Sequence, residues 1–227
     1  MHQHSGEHHH VDPEHVRYRD QFPEGFFTRA DESPDPRFYE PMRLVQHIDD
    51  DAIAAVGDLY DELSLSGDVL DLCASWVSHF HTAPARLVAL GMNAAELEHN
   101  PQAHNRVVHD LNAEPTLPFA DASFDAVTCC VSVDYLTQPL LVFDEAARAL
   151  LPGGVFVCTF SNRCFPTKAI RGWLASDDAG HVAIVEEYFR RSRGWDEPVA
   201  ERRTPAQHHG DPLYAVWARR EQDEESR

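Results

Sequence analysis

The sequence predicts one α/β domain built on a doubly wound, mostly parallel sheet, with helices on both faces and a C-terminal antiparallel hairpin. Three observations carry this expectation. Short β-branched runs recur along the chain, helical patterns separate them, and 227 residues at 43% hydrophobic content can bury one sizeable core. The expected division is a polar His/Pro-rich arm over residues 1–36, the domain over 37–219 and a charged tail over 220–227.

In chain order, the arm carries "HQHSGEHHH" and "ESPDP", with "FPEGFF" as the segment able to pin it to the body. Arg37 to Leu65 reads as helical. Within it, "DDDAIAAVGDLYDELS" puts Ile53, Val56, Leu59, Tyr60 and Leu63 on one face behind three aspartates suited to a helix N-terminus. The period then changes. "DVLDL", "RLVALG", "RVVHDL", "FDAVTCCVSV" and "VFVCTF" are short, apolar runs of the kind buried on both faces of a parallel sheet. Between them "SWVSHFHT", "NAAELEHNP" and "PLLVFDEAARALL" read as helices, and "LLPGG" as the stop and turn after the last of these. "HVAIVEEYFRRS" reads as a further helix, and "PVAERRTPA" with "PLYAVWARR" as the hairpin.

A net charge of -19, from 38 acidic and 19 basic residues, opposes nucleic-acid phosphates and anionic lipid, and the arginines form no convincing patch. No apolar run reaches the roughly 18 residues of a membrane span. The five cysteines lack CxxC spacing and read as thiols of a reducing, cytoplasmic setting. No metal site is expected: His8, His9 and His10 have no carboxylate or cysteine at ligand spacing, and read as a polar tail.

"LPFADASFDAV" at 117–127, a helix, and "EAARALLPGG" at 145–154 resemble the class I S-adenosylmethionine-dependent methyltransferases, over roughly residues 37–219. More narrowly, "DLCASWVSH", "LGMNAAEL" and "FSNRCFPTKAI" resemble a methyltransferase-like subgroup with a glycine-poor first loop. The resemblance implies a Rossmann-like fold, S-adenosylmethionine as cofactor and methyl transfer to a small molecule. Oligomeric state is not readable.

In that family the first strand ends in a pattern like "LDLGCGTG", whose glycines let backbone amides approach the donor. Here Asp71 and Leu72 match, whereas Cys73, Ser75 and Val77 stand at glycine positions, so the turn is expected to be reshaped. Cys73, Ala74 and Ser75 are the expected donor-binding loop, with Ser75 and Ser78 supplying hydroxyls. Trp76 reads either as packing or as a cover over an adenine, and His79 and His81 as solvent-facing. The family's ribose-binding acid aligns with Gly91. Asn93 is the nearest polar substitute and equally a helix N-cap before "AAELE".

The resemblance assigns Asp110 to the adenine amine and Leu111 to an apolar contact, with Asn112 as the alternative match for Asp110. After the fourth strand, Ser132, Asp134 and Tyr135 face the carboxyl edge where open α/β sheets bind ligands. Asp134 is the candidate general base and Tyr135 the candidate orienting group; the bland reading of Asp134 is a cap for a helix starting at Leu136. Ser161, Asn162 and Arg163 end the fifth strand on the same edge, Arg163 being suited to an anionic substrate group. The lost glycines and lost acid support a second expectation: a degenerate methyltransferase-like binding or interaction protein.

Overall fold

A computed structural model of the chain describes residues 21–207 and 209–222; the His8–His10 tail lies outside them. Seven strands form one sheet in the order β3-β2-β1-β4-β5-β7-β6. They are β1 (Asp68–Leu72), β2 (Arg86–Gly91), β3 (Asn105–Val108), β4 (Phe124–Cys130), β5 (Leu150–Phe160), β6 (Val199–Arg202) and β7 (Tyr214–Arg219). The first five are parallel, and β7 lies antiparallel between β5 and β6. The expected closing hairpin is therefore present.

Among the described residues six helices accompany the sheet: α1 (Asp35–Tyr39), α2 (Asp50–Glu62), α3 (Ala94–Glu98), α4 (Pro139–Ala149), α5 (Arg171–Leu174) and α6 (Asp178–Arg191). On one face α2 buries Val56, Leu59 and Tyr60 against Val69, Leu87, Ala126 and Val157. On the other, α4 and α6 bring Phe143, Tyr188 and Phe189 onto Leu70, Val127 and Phe156. Phe143 stands 4.8 Å by ring centroid from both Phe156 and Phe189. Each such buried side chain stabilises the layer by about 1.5–3 kcal/mol.

Three expectations are corrected. "SWVSHFHT" forms no helix: His79, in its middle, has a positive φ of +55°, which no helix interior tolerates. The β1–β2 crossover is instead an irregular loop. Phe80 packs on Tyr60 at 4.6 Å, and the Asn100 and Gln102 amides donate to Ser78 Oγ and the Phe80 carbonyl. "LLPGG" opens β5 rather than preceding it, with a register shift opposite Phe124 and Ala126. Edge strand β3 is not buried on both faces, since Asn105 and Val108 are exposed.

The arm's last part is pinned. Phe22, Phe26 and Phe27 pack on the core, with Phe22 5.9 Å from Tyr188. A buried ionic clasp follows, in which Asp35 receives Arg29 at 2.9 Å, Lys168 at 3.0 Å and the Asn112 amide at 2.8 Å. Lys168 is fully buried and also donates to the Ser33 carbonyl at 2.7 Å. Among the described residues no helix is long and apolar enough to cross a membrane.

Candidate functional site

The strand order reverses between β1 and β4, and a cleft opens at their carboxyl ends, the usual ligand position in such sheets. Its cavity holds about 330 Å³. That is near the lower end of the roughly 300–1,000 Å³ typical of small-molecule sites. The first loop contributes Cys73, Ala74 and Ser75; the segment after β4 contributes Val131, Ser132, Asp134 and Tyr135. Asn93 and Glu96 close one side, Arg163 and Phe165 the other, and Tyr39 to His47 the top.

Both strand ends beneath the cavity carry backbone strain. Cys73 has φ +56° and Val131 has φ +45°, the latter an outlier for a β-branched residue. Cys73 thus keeps a left-handed turn that glycine would adopt without penalty, and its thiol lies 3.7 Å from the Tyr135 hydroxyl. Strain of this kind concentrates at functional sites.

Asp134 sits in a short 3₁₀ turn, Val133–Tyr135, and is only 5% exposed. The helix expected at Leu136 begins at Pro139 with Gln138 as its N-cap residue, so Asp134 is no cap. Its carboxyl is pushed up to about 7 by burial, its own backbone amide opposing. Burial first, and the nearby Asp134 second, keep the Tyr39 phenol and Cys164 thiol protonated. Tyr135, raised likewise by burial, stays a phenol. The cleft therefore holds the Asp134 carboxyl near neutrality beside two phenols and a thiol that stay protonated, while burial pushes the His47 imidazole down.

The opposite wall is built differently. A Cβ added at Gly91 would lie 2.0 Å from the Ala74 carbonyl oxygen, and Ala74 N donates to the Leu90 carbonyl at 2.8 Å. The reshaped first loop crosses the end of β2, so no side chain fits where the resemblance places an acid. Asn93 accepts Glu96 N as an N-cap at 3.1 Å, and its amide donates to the Tyr39 and Glu40 carbonyls at 2.8 and 3.1 Å. The Ser75 hydroxyl donates to Glu96 Oε2 at 2.6 Å, and Arg43 N to Glu96 Oε1 at 2.7 Å. Trp76 does not line the cavity; its indole N–H donates to the Val45 carbonyl at 3.1 Å.

Three expected donor-binding residues lie off the cavity. Asp71 is 3% exposed under the sheet edge, accepting from Thr128 Oγ1 at 2.8 Å, and burial raises it to about 6. Asp110 spends Oδ1 on the backbone amides of Asn112 and Ala113 and borders a separate recess with Phe22 to Asp35, while Leu111 is a core residue. Asn112 ties Asp35 to the Tyr135 carbonyl. Arg163 reaches the rim, but its Nε is engaged by Asp211 at 2.7 Å. His81 pairs with Asp58 at 3.0 Å.

Sequence reasoning missed Glu96. "NAAE" is a capping-box pattern, which assigns that carboxylate to its own helix start. The carboxylate instead binds two distant partners.

A methyltransferase-domain family model matches residues 65–158. An uncharacterised methyltransferase of Mycolicibacterium vanbaalenii is 28% identical over 203 residues, covering 84% of this chain and 72% of the relative. An S-adenosylmethionine-dependent methyltransferase from Mesorhizobium loti superposes with a TM-score of 0.52 at 17% identity, over 74% of this chain and 98% of that one. The (4+2)-cyclase SpnF does so with 0.54 at 15% identity, over 81% and 90%. At such identities the structures speak to fold alone, and the cyclase marks how far reaction can diverge on it. Residues 65–158 thus match a methyltransferase domain, and the β3-β2-β1-β4-β5-β7-β6 sheet has the fold of the S-adenosylmethionine-dependent methyltransferases it superposes on.

Proposed function

We propose that the chain transfers a methyl group from S-adenosylmethionine to an oxygen or nitrogen of a small molecule, with Asp134 as the general base. The observation that carries this reading is a nearly buried carboxyl, held at about 7, in the cavity at the switch point of the sheet. The donor, when bound, supplies a methyl group carried on a sulfonium sulfur. The first loop suits it in that Cys73 retains the glycine-like turn and Cys73, Ala74 and Ser75 line the cavity.

This chain's own residues then have separate tasks. Asp134, once ionised, accepts the acceptor's proton; Tyr135 and Ser132 orient the acceptor by hydrogen bonds; Tyr39 and Phe165 exclude water from above. Five free cysteines support a cytoplasmic setting. The test is calorimetric titration with S-adenosylhomocysteine, followed by methyl transfer to a panel of phenols, carboxylic acids and amines. Binding with transfer to one class supports the proposal; absence of binding at millimolar ligand overturns it. The loop crossing over Gly91 favours a second reading, a methyltransferase-like binding protein, which binding of the donor without transfer to any acceptor would support.

A further inference from the structure

A nucleoside ligand brings a vicinal diol, two O–H donors that one carboxylate can receive in parallel, one on each oxygen. Position 91 cannot hold such a carboxylate, because Ala74 already fills the space. Two carboxylates line the cavity, Glu96 and Asp134. Asp134 is held partly protonated by burial. Glu96 is half-buried and already receives one donor on each oxygen, Arg43 N at 2.7 Å and Ser75 Oγ at 2.6 Å. Those two protein donors present the pattern that a diol would present.

The segment supplying one of them is not built as core. Residues 40–49 have no helix or strand, and Met42, Leu44 and Val45 are 52%, 39% and 53% exposed. Its two ends are firm. The near end follows the Asp35 clasp; at the far end Asp49 and Asp211 exchange backbone-to-carboxylate hydrogen bonds at 3.1 and 2.7 Å. Between them, the strap is fastened to the cavity wall by Asn93 at the Tyr39 and Glu40 carbonyls, Glu96 at Arg43 N and Trp76 at the Val45 carbonyl. A strap anchored at both ends and held by exchangeable hydrogen bonds over exposed apolar side chains can lift without unfolding the domain.

We infer that Glu96 is the ribose-recognising carboxylate, five positions beyond the one the fold ordinarily uses, and that the Tyr39–His47 strap masks it until the ligand's two hydroxyls displace Arg43 N–H and the Ser75 hydroxyl. The inference rests on the donor-binding reading above. In it the ligand exchanges one pair of hydrogen-bond donors for another, so the carboxylate is never left unpaired.

The test is calorimetry with S-adenosylhomocysteine and its 2′-deoxy analogue on wild type, Glu96→Gln and Trp76→Phe. Melting without ligand confirms that each variant is folded. Wild type is expected to prefer the 2′-hydroxyl compound, and Glu96→Gln to bind it roughly 10- to 100-fold more weakly and lose the preference. Glutamine still accepts from Arg43 N and can pair with Ser75, so the strap stays fastened. Trp76→Phe, which cuts a fastener, is expected to tighten binding by about 2- to 10-fold. If Glu96 only secures the strap, Glu96→Gln leaves affinity unchanged or raised with the preference intact, and the inference falls. Unchanged or weaker binding by Trp76→Phe overturns the masking role. Wild type binding neither compound sinks the donor-binding reading itself, a result distinct from both.

Discussion

The two halves of the sheet's carboxyl edge make unlike use of their polar residues. At the β1–β4–β5 half, Ser132, Asp134 and Tyr135 line a cavity over strained strand ends, and Asp134 is kept near neutrality by burial. At the β2–β3 half, Asn93, Glu96, Asp110 and Asn112 are all committed to backbone or side-chain partners within the chain. On the proposed function the first half does the proton chemistry, and on the inference above the second must release Arg43 N–H before it can hold a ligand. Asp134, Asn93 and Glu96 lie around one cavity, so under the two proposals reactivity and access would be adjusted by different residues.

The comparison breaks most decisively at Asp134. Asp134→Asn is expected to lower kcat by about 10² to 10⁴ with the fold intact, read by single-turnover kinetics on whichever acceptor responds. The wild-type rate should rise with pH through about 7, where the carboxyl ionises. Stability runs the other way. The folded pKa lies above the unfolded value, so the contribution is complete below about 4 and is lost as pH rises through about 7. Asp134→Asn should therefore stabilise the protein at pH 8 by roughly 2 to 4 kcal/mol, and much less at pH 4, in denaturant titrations. A pH-independent difference would mean that burial is not what tunes this group.

Next in size is the clasp under the strap. Lys168→Met leaves Asp35 buried with one cation fewer and should cost about 3–5 kcal/mol in urea unfolding. Gly91→Ala pushes a methyl group into the Ala74 carbonyl and should cost about 1–3 kcal/mol while displacing the first loop. A neutral outcome there would show that the loop does not depend on the β2 end. Smallest is Cys73→Gly, which removes the left-handed penalty of about 1–2 kcal/mol but adds chain entropy and loses the Tyr135 contact; a net gain of at most about 1 kcal/mol is expected from thermal melts.

The strands were legible because burial on both faces leaves a direct mark in sequence: "DVLDL" and "RLVALG" are β1 and β2 to the residue. The helix expected after β1 failed for the opposite reason. Its residues are held by Asn100 and Gln102, partners more than 20 positions away that leave no periodic signal. That Asp134 and Ser132 lie at the carboxyl edge, where they line the cavity, was readable from their place after a buried strand. Glu96 was not, because its local pattern is satisfied by capping and its true partners come from positions 43 and 75. The lost glycines and Gly91 looked like two departures. They are one, since the loop that lacks glycine occupies the space that the missing side chain would need.

Lys168 is the sole lysine of the chain, and its amine is sealed inside the clasp that precedes the strap. Side-chain amine acylation thus has one address in this molecule, reachable only when that clasp opens. Its labelling rate becomes a clock for opening at the root of the strap, and can be followed by intact mass without introducing a probe.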